Sequence, residues 1–350
     1  MCTRNNKYKN QIIISGPCSI ESKEQFFETC DRLLKVGINI IRGGVWKPRT
    51  KPGGFEGLGE IALKWMKEYK ENHPEVKMCC EVANKEHTQL ALDYGIDIVW
   101  VGARTTSDPF AVQDICNTIV KNNRKDIEVL IKNPACVDFD LWEGALLRFK
   151  ACGINNLGLI HRGFKAYKNT KYRNNPLWSI ALRMKVKYPD IPMICDPSHI
   201  AGNSEYIEEI CKKAWMYNYD GFIIETHCNP KVAWTDASQQ LTPEELKIIL
   251  DKILNQELNQ YEETLSTYRK DIDSIDLQVL ELLEQRFDLT RKVGELKKKN
   301  NVKIFQPNRF ISLVKHLKEL NKIPDVLVDE IWGAIHEESC NQQNRIINNG

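Results

Sequence analysis

Cys18, His199, Glu225 and Asp236 offer one sulfur, one imidazole and two carboxylates, a mixed donor set that suits a divalent transition metal with room left for substrate. Singly, each has a plainer reading. A cysteine after a strand is ordinarily a small buried hydrophobe, and of Glu225 and His227 one can be a solvated rim residue. The collective arrangement shifts the balance, because three of the four follow directly on short apolar runs. A second constellation is cationic: Arg42, Lys47, Arg49, Arg104, Lys132 and Arg162 all fall at or just after such runs. Cations gathered in one place repel unless anions neutralise them, which implies substrates rich in phosphate and carboxylate. Two phosphorylated substrates fit this set better than one.

The elements that must position these residues recur with regularity. QIIIS from Gln11, INIIR from Ile38, VKMCCEV from Val76, DIVWVGAR from Asp97, EVLIKNP from Glu128, NNLGLIHRG from Asn155, PMICDPSH from Pro192 and GFIIETH from Gly221 read as strands. Between them lie amphipathic segments such as SKEQFFETCDRLLKVG and LWEGALLRFKACG, several closing on a glycine suited to a helix end. Near-continuous apolar strands alternating with helices predict parallel pairing, and eight units predict a closed (β/α)₈ barrel. An open doubly wound sheet is the rival, but no Gly-x-Gly-x-x-Gly follows the first strand. A barrel would also gather Cys18, Arg42, Glu81, Arg104, Lys132, Arg162, His199 and Glu225 around one mouth.

At 350 residues the chain has room for such a barrel and a second, smaller domain. The formal net charge of +2, from 49 Lys and Arg against 47 Asp and Glu, gives no reason to expect nucleic acid or membrane as partner. Twelve cysteines scattered without a paired framework suit a reducing compartment. The start, MCTRNNKYKNQIIIS, has too short an apolar run for a signal segment or membrane span, so a cytoplasmic location is expected.

Nine ordered motifs give the barrel a family. Gly16-Pro17-Cys18-Ser19, Arg42-Gly43-Gly44, Lys47-Pro48-Arg49-Thr50, Gly102-Ala103-Arg104, Lys132-Asn133-Pro134, His161-Arg162-Gly163, Asp196-Pro197-Ser198-His199, Glu225-Thr226-His227 and Asp236 resemble the short class of heptulosonate-phosphate synthases. The resemblance runs from about residue 10 to 255. It implies one divalent metal ion (Mn, Fe, Co or Zn) on Cys18, His199, Glu225 and Asp236, and phosphoenolpyruvate on Arg42, Lys47, Arg104, Lys132 and Arg162. Arg49 and Thr50 would hold erythrose 4-phosphate. C3 of phosphoenolpyruvate would attack the aldehyde, whose oxygen the metal polarises, and phosphate would leave after water adds at C2. Glu81 and His227 resemble groups managing that water and its protons, and Asp196, Lys47 and Lys132 complete the expected catalytic set. The sister enzyme making 3-deoxy-octulosonate 8-phosphate shares the barrel, but Lys-Pro-Arg-Thr and Cys18 depart from its usual pattern.

The chain then changes character. After a last barrel helix, TPEELKIILDKIL from Thr242, the stretch NQELNQYEE reads as a polar connector. Ile272, Ile275, Val279, Leu282, Leu289, Val293 and Leu296 follow as a heptad seam on one long helix, with Arg286 at the missing position. A coiled-coil dimerisation helix is the plain reading, yet a charge at a core position is costly without a partner. A third helix repeats the anomaly, since the step from Leu327 through Ile331 and Ile335 continues to Ser339 and Gln343. Between them, QPNRFISLVKHLKEL starts with a proline suited to a first helical turn and presents Arg309.

Long, short and medium helices with Arg269, Arg286, Lys297, Arg309, Ser339 and Gln343 resemble the all-helical chorismate mutases. The likeness implies intertwined chains, with Arg269 crossing to the partner's site, Arg286 and Arg309 meeting carboxylate and ring groups, and Lys297 and Gln343 facing the ether oxygen. It departs at Phe310, where many members carry a glutamate for the chorismate hydroxyl. The expected organisation is thus a synthase barrel over 1–258 and a three-helix mutase over 263–345, in a homodimer or higher homo-oligomer. With so few residues before Gln11, the tail is also the segment expected to report chorismate or prephenate to the barrel.

Overall fold

Strands form where β-branched residues face both ways and both faces must be buried. In the computed structural model, which describes all residues except 1–7, 9–10, 48–52, 166–170, 255–261 and 349–350, this gives β1 (Ile12–Gly16), β2 (Ile40–Gly43), β3 (Lys77–Val82), β4 (Ile98–Val101), β5 (Glu128–Lys132) and β6 (Leu157–His161). A short antiparallel pair, β7 (Phe164–Lys165) with β8 (Asn174–Asn175), interrupts the series before β9 (Met193–Cys195) and β10 (Gly221–Glu225). The remaining eight strands close into a parallel barrel ordered β1-β10-β9-β6-β5-β4-β3-β2. Ile12 lies opposite Gly221 and Gly16 opposite Glu225 where the ring shuts, so the open sheet is excluded and the predicted barrel stands.

Alternation along each strand sorts the core into two layers. Ile12, Ile14, Ile40, Ile98, Trp100 and Leu130 point into the ring, whereas Ile13, Ile41, Val99 and Ile131 face the helices outside. The enclosing helices are α1 (Lys23–Lys35), α2 (Glu60–Asn72), α3 (Lys85–Asp93), α4 (Pro109–Lys121), α5 (Phe139–Ala151), α6 (Trp178–Lys187), α7 (Pro197–Ala201), α8 (Ile207–Met216) and α9 (Pro243–Leu254). In α1, Ser22 accepts from the Gln25 amide to start the helix, and Gly37, at φ 87°, follows its end. Phe26, Cys30 and Leu33, spaced by four and three, are fully buried, worth about 1.5–3 kcal/mol for each large side chain. Helix α9 starts on a reciprocal capping box between Thr242 and Glu245.

The chain divides into two compact units, residues 1–257 and 258–350. The second unit contains α10 (Glu262–Lys299), α11 (Pro307–Glu319) and α12 (Asp325–Asn348), with α12 packed along α10 and against α11. The predicted connector falls largely on 255–261, outside the described residues. The seam lies open in the single chain, and one detail of α12 differs from expectation. The seam residues of α10, from Ile272 to Leu296, are 43–63 % exposed in the single chain, because the heptad pattern specifies an apolar stripe and not what covers it. On α12 the buried residues are Val328, Ser339 and Gln343, while Leu327 and Ile331 are exposed. A step of four advances about 40° past a full turn, so a run of fours spirals off any one face.

No helix among the described residues is long and apolar enough to cross a membrane, and every described cysteine is a free thiol.

Candidate functional site

Strand ends and the loops after them build one cluster at the barrel mouth. Glu225 ends β10 and Arg42 lies in β2, while Cys18 sits in the loop after β1, His199 in α7 and Asp236 in the loop beyond β10. One donor atom each from Cys18, Glu225 and Asp236 lies within 4.8 Å of the others. His199 stands beside this trio, its Nε2 3.8 Å from Glu225 Oε1. Cys18 donates from Sγ to Asp236 Oδ2 at 3.3 Å and receives Lys47 Nζ at 2.8 Å. Gly44 makes this approach possible, since a Cβ there would stand 1.8 Å from the Cys18 carbonyl oxygen.

The buried carboxylates Glu225 and Asp196 are each paired with a buried cation. Glu225 Oε2 accepts from Gln239 at 2.6 Å, and Oε1 faces Arg42 Nη2 at 3.2 Å. Oε1 nonetheless has no hydrogen-bond partner, and neither do Nε and Nη1 of Arg42. Burial works to raise the Glu225 pKa, but the charges of His199, Arg42 and Lys47 outweigh it and hold the carboxyl down at about 2. Burial drives the Cys18 thiol the other way, up to about 12, reinforced by Glu225. Asp196, fully buried at the end of β9, caps α7 through the His199 amide and binds Lys132 Nζ at 2.8 Å. Against the cost of burial, His199 and Lys132 keep its carboxyl well below the usual range.

The other predicted residues are placed as follows. Arg162 gives its amide to Asn133 at 2.7 Å and its guanidinium to Asn174 at 3.0 Å. Burial lowers it to about 10, with Arg173 and Arg104 adding repulsion against the attraction of Asp196. Arg104 itself is exposed at the start of the loop after β4. Glu81 accepts from the Trp100 indole at 2.8 Å. His227 is buried with Nδ1 accepting from the Asn229 amide at 2.9 Å and Nε2 3.5 Å from Glu21 Oε2. Arg49 and Thr50 lie outside the described residues.

Several neighbours had no sequence signal strong enough to single them out. Gln240 accepts the Cys18 amide at 3.0 Å, and Arg173 binds Asp236 Oδ1 at 3.0 Å. Ser198 accepts the Glu225 amide at 3.0 Å. Asn133 and Ser198 sit inside quoted motifs, which was the available hint.

In the helical unit, Arg286 Nη1 donates to Ser339 Oγ at 2.6 Å, and Lys297 Nζ donates to the Ile304 carbonyl at 2.6 Å. Gln343 is buried against Gly294 with Oε1 unpartnered. Phe310 stacks on His336 at 4.3 Å. Arg309 is exposed on the first turn of α11, and Arg269 is exposed on α10. Seventeen residues separate Arg269 from Arg286 on this helix, about 25 Å at 1.5 Å per residue. One chain therefore does not bring them together.

Comparison with known proteins agrees with both halves. The family model of the DAHP synthetase I family matches residues 5–263, and that of chorismate mutase type II matches residues 268–344. A phospho-2-dehydro-3-deoxyheptonate aldolase of Thermotoga maritima is 28 % identical over 69 % of this chain and 68 % of its own length. The crystal structure of a Thermotoga maritima DAHP synthase superposes with a TM-score of 0.62 at 26 % identity, covering 69 % of this chain and 68 % of that one. A 2-dehydro-3-deoxyphosphooctonate aldolase of Campylobacter jejuni is more distant, at 24 % identity over 70 % of this chain and 96 % of its own. A bifunctional chorismate mutase/prephenate dehydratase of Aquifex aeolicus is 36 % identical over 22 % of this chain and 20 % of its own. The chain belongs to the DAHP synthetase I family and joins that barrel to a chorismate mutase type II domain, a transferase and an isomerase in one polypeptide.

Proposed function

We propose that the barrel, residues 1–258, condenses phosphoenolpyruvate with erythrose 4-phosphate to DAHP and phosphate, and that residues 263–345 rearrange chorismate to prephenate. The observation that carries the first half is the meeting of the Cys18, Glu225 and Asp236 donors with the buried guanidinium of Arg42 in one mouth. The residues present fit a metal ion: three donor atoms converge, and Glu225 Oε1 is buried without a hydrogen-bond partner. Cys18, His199, Glu225 and Asp236 would hold it, and their mixed softness accepts Mn, Fe, Co or Zn. When bound, the ion supplies Lewis-acid polarisation of the aldehyde oxygen.

Arg42 and Lys132, with Lys47, Arg104 and Arg162, receive the carboxylate and phosphate of phosphoenolpyruvate and stabilise charge on the departing phosphate. Arg49 and Thr50 take the phosphate of erythrose 4-phosphate. Asp196 fixes Lys132 and His199 together. Glu81, with one oxygen outside its bond to Trp100, and His227, whose Nε2 is buried without a hydrogen-bond partner, handle the attacking water and its protons. A coupled assay of phosphoenolpyruvate consumption, run with erythrose 4-phosphate and then with chelator, tests this. Undiminished turnover after complete metal removal contradicts the metal assignment.

For the second site, Arg286 and Arg309 hold carboxylate and ring groups, Ser339 supports Arg286, and Lys297 and Gln343 face the ether oxygen. Catalysis then needs only a folded conformer and stabilisation of developing negative charge. Arg269 enters from a partner chain, which makes the enzyme a homodimer or higher oligomer built on the exposed α10 seam. We further assign feedback to the tail: prephenate bound among the helices lowers the synthase rate, and an unchanged rate at saturating prephenate rejects this. The rival, an octulosonate-phosphate synthase with a merely dimerising tail, is disfavoured by the chorismate mutase match over 268–344.

A further inference from the structure

Trp100 stands in β4 at 1 % exposure, on top of the apolar plug formed by Ile12, Ile14, Ile40 and Ile98 inside the ring. Its surroundings are not those of a filler. The Arg42 guanidinium carbon lies 4.9 Å from the ring centroid and Lys132 Nζ 5.4 Å. The indole N–H donates to Glu81 Oε2 at 2.8 Å, fixing the ring in its plane. Arg42, Glu81, Trp100 and Lys132 come from β2, β3, β4 and β5, four neighbouring strands, so the constellation is held by the barrel itself.

A buried cation needs compensation, and the kind matters. A carboxylate compensates by accepting the cation's N–H groups, which leaves fewer of them for a ligand. The face of an indole compensates through its quadrupole and accepts no such bonds. Arg42 shows both modes: Nη2 meets Glu225 at 3.2 Å, the guanidinium carbon lies 4.9 Å from the ring centroid, and Nε and Nη1 are buried and lack hydrogen-bond partners. Hydrogen bonding of the indole N–H to a carboxylate adds electron density to the ring and strengthens its attraction for both cations.

We infer that Trp100 is a positioning residue of the anion site: its ring, pinned by Glu81, carries Arg42 and Lys132 side by side with their N–H donors available to one phosphoenolpyruvate. The inference rests on the phosphoenolpyruvate reading above. Trp100→Phe keeps a π face, whereas Trp100→Met keeps apolar bulk without one.

Steady-state kinetics of both variants test it. Trp100→Met raises the KM for phosphoenolpyruvate about tenfold, Trp100→Phe raises it less than about threefold, and the KM for erythrose 4-phosphate stays within about twofold in both. A plug role predicts the opposite grouping, with both variants melting earlier and both substrates affected alike. Equal phosphoenolpyruvate KM values in the Phe and Met variants overturn the inference. Should Trp100→Met not fold, uniform 5-fluorotryptophan labelling decides. Fluorination drains the ring and weakens phosphoenolpyruvate binding in the unsubstituted chain but not in Trp100→Phe, whose seven remaining tryptophans are also labelled. Identical losses in both backgrounds reject Trp100. Failure of the underlying reading appears separately, as an unsubstituted enzyme that neither binds nor consumes phosphoenolpyruvate, and it removes the inference too.

Discussion

His199 Nδ1 lies 2.8 Å from Asp196 Oδ2, which turns the other ring nitrogen toward Glu225. A carboxylate behind a ligating imidazole fixes both its tautomer and its aim. Asp196→Asn is expected to weaken metal affinity about 10–100-fold. Lys132 loses its counter-ion in the same variant, so the KM for phosphoenolpyruvate changes with it. Competition with a fluorescent chelator reads the first effect, and unchanged affinity would contradict the role given to Asp196.

Separate chemistry in one chain predicts separable lesions. Cys18→Ala lowers the condensation at least about a hundredfold and leaves chorismate turnover intact, and Arg286→Ala does the reverse. Both assays on a single preparation of each variant check this. Loss of both activities from one substitution would sink it.

The barrel was legible because its strands are apolar on both faces and its reactive residues sit at their ends, as Glu225 and Lys132 do. Periodicity reports a face and not a neighbour. Thus Trp100 read as one more apolar strand residue, and nothing showed that His227 turns to Glu21. Gln239 and Gln240 were illegible for another reason: loop polar residues are ordinarily solvated, and only the fold shows these two buried against Glu225 and Cys18. In the tail, the spacing found one long helix and the Arg286 anomaly but gave no account of Phe310, which packs on His336.

His161 sets an acid limit on the barrel. It is fully buried, donating from Nε2 to the Pro176 carbonyl at 2.6 Å and accepting from Tyr219 at 2.9 Å. Burial lowers its pKa from 6.5 to about 4. Because the unfolded chain takes this proton first, the contribution is present above about pH 6.5 and lost as pH falls through about 4, amounting to about 3 kcal/mol. Denaturant midpoints at pH 7 and pH 4.5 should fall less in His161→Gln than in the parent. Equal slopes would refute the assignment.

The exposed seam and the separation of Arg269 from Arg286 make a mixing experiment decisive. Arg269→Ala and Arg286→Ala chains are each inactive as mutases, yet a mixed pair rebuilds one intact site. Re-equilibrated equal mixtures should recover about a quarter of parental mutase activity. No recovery despite demonstrated subunit exchange would rule out a shared site.

Pairing through that stripe on α10 would also tie one of the two reactions to how much enzyme a cell makes. Below the dissociation constant of the pair, isomerisation would grow with the square of chain abundance while condensation, for which Cys18, Arg42, Lys132, His199, Glu225 and Asp236 come together within a single barrel, would grow in simple proportion. Expression level alone would then set the ratio of the two fluxes.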